Sequence, residues 1–146
     1  MVTYANFIIG LRSYLEQVTG VTTIWKYKGY TLPDERPFIT VDYVNSTYSE
    51  STKLKELVKQ TIYINVGNYG ADVISIAETQ AKIMEVLQYH AIPLMDSEGE
   101  VIGSFSVDRV TGENDYPYGV GVEQESQSFR IFTDIAVELD HVKKRV

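Results

Sequence analysis

His90 and His141 are the only imidazoles in 146 residues. A hydrolytic or group-transfer site would need one of them beside a nucleophile and an orienting group. Neither falls in a recognisable pairing with a serine, and no G-x-S-x-G elbow occurs. Each therefore reads as an exposed structural histidine. The sequence holds no cysteine, which removes thiol nucleophiles, disulfides and thiolate metal sites from consideration.

Carboxylates are more numerous, so a cation site has to be weighed. Asp96-Ser97-Glu98-Gly99-Glu100 superficially resembles a calcium loop. It lacks the alternating ligands, and its glycine stands fourth where an EF-hand needs it sixth. A hairpin turn is the better reading. Glu113, Asp115, Glu123 and Glu125 could converge in space, but nothing in their spacing fixes them together. Gly67-Asn68-Tyr69-Gly70 ahead of a helix could cradle a phosphate on the helix N-terminus. No lysine follows as in a Walker loop, and Asp72 would put negative charge where the anion must sit. That stretch reads as a turn. Asn45-Ser46-Thr47 matches the glycosylation pattern but, with no secretory signal to read, as coincidence. No catalytic, cofactor-binding or metal-ligating residue is assigned, and no cofactor is expected.

Aromatic residues are the unusual feature, with Tyr at 11 of 146 positions. Tyrosine favours protein–protein contacts because its ring buries area while its hydroxyl stays satisfied. Tyr43 and Tyr63 lie in apolar alternation and read as sheet packing. Tyr48, Tyr116 and Tyr118 fall in polar stretches and are the interface candidates, together with Lys53 and Lys55 beside Tyr48.

The elements that would position these residues follow from periodicity. Phe7, Leu11, Tyr14, Leu15 and Val18 recur at spacings of three and four, predicting a helix from Tyr4 to Thr19, with Gly20 ending it by a left-handed turn. Ile24 to Lys28 alternates and predicts a short strand. Phe38 to Val44 and Leu57 to Val66 predict two more, joined as a hairpin with a long polar arm at about 46–55. The arm has too few apolar residues for its own core and is expected to be flexible until another molecule holds it.

A second helix should start at Asp72, as N-cap, and end near Tyr89. Its main apolar face is Val73, Ile76, Ala77, Ile83, Met84 and Leu87, with Ile74, Ala81 and Val86 off that face. Ile92 to Val110 predicts a hairpin turning at Asp96–Gly99. A flexible loop is expected at about 111–127, and then a long strand with Phe129, Ile131, Thr133, Ile135, Val137 and Leu139 on one side. The fold class is α+β: residues 1–146 form a single domain, an antiparallel sheet with two main helices packed on one face and a long β-hairpin arm.

Hydrophobic residues at 44% and charged ones at 23% describe a globular chain. No stretch approaches the roughly 18 apolar residues of a membrane helix, so no membrane partner is expected. The N-terminal residues lack the basic start and apolar run of a secretory signal, which points to the cytoplasm. A net charge of −7 with scattered basic residues argues against holding duplex DNA.

The order of elements resembles that of tail terminator and tail-completion (head–tail joining) proteins of tailed phages and phage-like elements. Three stretches carry the likeness: Arg36-Pro37-Phe38-Ile39-Thr40-Val41, Gln60 to Val66 leading to the Ala77–Leu87 helix, and Phe129 to Leu139. The resemblance implies a non-enzymatic homo-oligomeric ring, commonly a hexamer, that caps the tail tube and joins it to the head connector. DNA would pass through without specific binding. The chain would reside in the host cytoplasm during assembly and in the virion tail or neck afterwards. No residue-level signature carries over. The alternatives are another neck or head–tail connector subunit of the same assembly and, in a different class, a small metal-dependent hydrolase.

Overall fold

Thr3 opens the first element. Its N–H donates to Asn6 Oδ1 at 2.9 Å, tying down the first turn of α1 (Tyr4–Thr19). Gly20, at φ 70°, ends the helix as expected, its N–H donating to the Glu16 carbonyl at 2.9 Å. The structure, a computed structural model, describes residues 2–27, 30–50, 57–116 and 129–142. The expected interface residues Lys53, Lys55 and Tyr118 lie outside them, as do Glu123 and Glu125.

After α1 the elements run β1 (Thr23–Lys26), β2 (Phe38–Glu50), β3 (Leu57–Tyr69), α2 (Val73–Tyr89), β4 (Ile92–Met95), β5 (Val101–Phe105), β6 (Arg109–Tyr116) and β7 (Arg130–Val142). Five strands make the main sheet in the order β1-β2-β3-β7-β6, while β4 and β5 form a separate hairpin. The molecule is a single α+β domain. Phe7, Ile8, Leu11 and Leu15 of α1 and Ile83, Val86 and Leu87 of α2 pack on the sheet face that carries Ile39, Val41, Ile62, Ile64, Ile135 and Val137. Both helices thus share one face. Each of these aliphatic side chains stabilises the fold by about 1.5–3 kcal/mol relative to exposure.

Several expectations need correction. The sheet is mixed: β1 pairs with β2 in parallel, Thr23 opposite Ile39 and Lys26 opposite Asp42. The connection through residues 27–37 is long enough to carry the chain back to the starting edge, which a tight hairpin could not do. Gly67-Asn68-Tyr69 is not a turn but the end of β3, paired with both β2 and β7. Its polar Asn68 points inward into a hydrogen-bonded cluster, so polarity there was a poor guide to a turn. The turn proper is Gly70 to Asp72, and Asp72 does cap α2, accepting from the Ser75 N–H at 2.8 Å.

Residues 46–50 of the expected arm are strand, paired with 58–62. Residues 111–116 of the expected loop are strand as well, held along β7 with a bulge between Val110 and Gly112. In both places ladder hydrogen bonds supply the order that apolar alternation does not announce. On α2, Val73 and Ala77 are exposed while Val86 is in the core, so the buried stripe is rotated from the expected one.

Candidate functional site

The strands β2, β3 and β7 run farther than the helices that cover them. Apart from Asn68 and Thr133, which bond Gln80, inward-facing positions on β3 and β7 are apolar up to Ile62 and Val137, which pair with each other. Beyond them the same face carries Ser46, Tyr48, Gln60 and Leu139, then Val58 opposite His141. Helix α1 begins only at Tyr4, whose ring stacks on Tyr43 at 4.0 Å and 13°. The overhang therefore leaves a groove between the start of α1 and the strands, with a volume of 510 Å³. Val2, Thr3 and Tyr4 form one wall, and Tyr48, Val58 and Gln60 the floor.

A chain of side-chain hydrogen bonds crosses that floor. His141 Nε2 meets Gln60 Oε1 at 2.8 Å, Gln60 Nε2 donates to Ser46 Oγ at 3.0 Å, and Ser46 Oγ meets the Tyr43 hydroxyl at 2.6 Å. An amide oxygen only accepts, so the His141 proton on this side sits on Nε2. The Gln60 amide stands between Ser46 and His141. The imidazole is thus not bonded to the hydroxyl it would have to activate. His90, at the C-terminus of α2, bonds the Tyr14 hydroxyl through Nδ1 at 2.7 Å and faces Glu85 at 3.8 Å. Both histidines sit half-buried rather than exposed.

Of the carboxylates weighed above, Asp96 and Glu113 are held in local hydrogen bonds. Asp96 Oδ1 accepts from the N–H groups of Glu98 and Glu100, both at 2.9 Å, closing the β4–β5 turn. Glu113 Oε2 accepts from Gln80 Nε2 at 3.1 Å. Asp115 is placed on β6 by its backbone alone. Among the described residues no group of three or more His, Asp or Glu converges as a metal site would require. On the outer face of the sheet, Glu138 accepts from Arg109 at 3.1 Å and faces Lys59 at 3.5 Å. The Arg109 hydrogen bond, above all, holds the Glu138 carboxyl below its ordinary range. At the far end of that face Phe38 stacks on Tyr69 at 4.4 Å, and Arg36 lies over the Tyr69 ring at 5.6 Å. Burial first, and then the charge of Arg130, lower the Arg36 pKa, while burial raises that of Tyr69.

Of the expected interface residues, Tyr48 is in place, 65% exposed on the groove's floor strand. Tyr116 is on β6 by its backbone, opposite Arg130 on the sheet's other flank, so it does not join Tyr48. Tyr43 packs into the sheet as expected. The groove's other members, Tyr4, Val58, Gln60 and His141, were missed. Their signal lay in the two-residue alternation of β3 and β7, which continues past the last apolar pair with mixed side chains.

No protein-family model matches the sequence, and no curated protein matches it. Several solved structures match; one of them aligns with 98% of this chain and 94% of its own, at 13% identity and a TM-score of 0.45. Nothing about function follows from so loose a superposition. No helix among the described residues is long and apolar enough to cross a membrane.

Proposed function

We propose that this chain is a non-enzymatic structural subunit of a phage-type tail, forming a ring that caps the tail tube and joins it to the head connector. The observation that carries the reading is the three-stranded overhang, whose inner face no helix among the described residues covers. Pairing continues to Glu50–Val58 and Leu57–Val142, well beyond α1, and Tyr48 stands on a surface that no other described residue buries, 65% exposed. Exposed aromatic floor and paired backbone suit a surface built to receive another subunit. Among the described residues the sheet also ends in edges at β1 and β6, which can extend by strand addition.

The charge agrees with a channel role. At −7 net, a ring of such subunits repels a duplex within a Debye length of about 8–10 Å, so DNA passes without being held. Partners are then copies of this chain, the tube protein below and the head-connector protein above. The test is to add labelled chain to growing tail tubes and follow their length. The reading expects label at one end of each tube and growth arrested there. Label that binds isolated head connectors and leaves tube growth unchanged would reassign the chain to the neck. Binding to neither would remove the tail reading.

A further inference from the structure

The β4–β5 hairpin is held from one side. Ile92 and Leu94 of β4 reach into the core, Asn6 of α1 donates to the Met95 carbonyl at 3.0 Å, and Phe105 meets Phe7 edge-on at 4.8 Å. That leaves β5 as the outer strand, with Val101, Ile102, Gly103 and Ser104 exposed in succession. Among the described residues its only strand partner is β4, and its far edge makes no backbone hydrogen bond. Edges of this kind template pairing and are usually blunted by lysine, proline or another charged side chain. β5 reads Val-Ile-Gly-Ser-Phe and has none of these. Its one irregularity is a bulge near the turn, which leaves Ile102 without an opposite residue beside Val101. The two side chains are 48% and 64% exposed. Gly103 to Phe105 run in unbroken register with β4.

We propose that β5 receives an added strand from a different protein, a segment that alternates aliphatic and polar residues and carries lysine or arginine at its ends. Main-chain pairing along β5 supplies the affinity, and Val101 and Ile102 supply the apolar contact. The proposal does not rest on the ring reading.

Charge selects the partner. From Ile83 to Asp108 the chain has no Lys or Arg. Glu98 and Glu100 are exposed at one end of β5. Asp108 is exposed just past the other, its carboxylate fixed by the Glu138 N–H at 2.6 Å. A basic segment meets opposite charge at both of its ends, which steers encounter and orientation. A second copy meets the reverse. Antiparallel pairing of β5 with its own copy, centred on Gly103, sets Glu98 of each against Asp108 of the other, and like charges opposed across a strand pair destabilise it. The β6 edge of a second copy brings Glu113 and Asp115 against Arg109 alone, and β1 spans only four residues.

A dye-labelled peptide, Lys-Val-Thr-Val-Thr-Val-Lys amide, tests this by fluorescence anisotropy with the full chain. It should bind and bring new amide-exchange protection over residues 101–105. The same peptide with glutamate for both lysines should bind about tenfold more weakly. The double variant Glu98→Lys with Glu100→Lys should reverse that order. The turn survives these changes, because residues 98 and 100 bond Asp96 through backbone N–H groups. Methylating the peptide nitrogens on its pairing edge should abolish binding. Binding that survives methylation, ignores the peptide's charge or protects β1 or β6 in place of β5 would overturn the proposal, as would no binding at all. Ile102→Lys should lose the peptide and keep the oligomeric state of the wild-type chain. A changed oligomeric state would make this face a contact between copies and overturn the proposal too.

Discussion

Gln80 shows what individual residues contribute. It is 7% exposed on α2, and its amide links both sides of the core: Nε2 donates to Thr133 Oγ1 at 2.9 Å and to Glu113, while Oε1 accepts from Asn68 Nδ2 at 3.2 Å. Asn68 also donates to the Ile76 carbonyl at 3.1 Å. A buried polar cluster of this kind costs free energy when one member is removed, because the others keep their desolvation penalty. Gln80→Leu is expected to destabilise the fold by about 1–3 kcal/mol, read as a lower urea midpoint at unchanged slope. A neutral substitution would mean the cluster contributes nothing net. In the sequence Gln80 is one polar residue on an amphipathic helix, and Asn68 resembles a turn residue. Neither could be assigned to the core, because each is buried only through the other.

At the scale of elements, the close approach of α1 to the β4–β5 hairpin is the tightest constraint. A Cβ on Gly10 would overlap the Pro93 carbonyl oxygen, a backbone atom that can move only with β4. That approach lets Phe7 meet Phe105 edge-on at 4.8 Å and brings Ile92 and Leu94 into the main core. Gly10→Ala is expected to destabilise by about 1–3 kcal/mol despite alanine's better helix propensity, and thermal unfolding measures it. A stabilised variant would show that β4 shifts freely.

Elements with strong periodicity were legible: α1 to both of its ends, the start of α2 at Asp72, the β4–β5 turn and the inward face of β7. Elements ordered by pairing were not. β1 was legible as a strand but its parallel pairing was not, and the last residues of β3 and the 46–50 and 111–116 segments take their order from neighbouring strands, which leaves no trace in hydropathy. The groove was half legible for the same reason. Tyr48 stands out as an aromatic in a polar stretch, whereas Val58, Gln60 and His141 join it only through register.

At the scale of the whole molecule, the sheet carries two distinct surfaces. Among the described residues, its inner face is filled by α1 and α2 along most of its length and left open at the overhang. Its outer face carries the Arg109–Glu138–Lys59 ion pairs and the Phe38–Tyr69–Phe132 aromatic cluster. Exposed ion pairs of this type are screened by solvent and contribute little to stability. On the proposed ring reading, the core sits toward one end of the strands and the other end receives a neighbour. Negative-stain electron microscopy of the purified chain over a concentration series tests that account most directly. Closed rings of uniform subunit number, with a central opening wide enough for a duplex, are the result the proposed function predicts. Single compact particles at every concentration would contradict it.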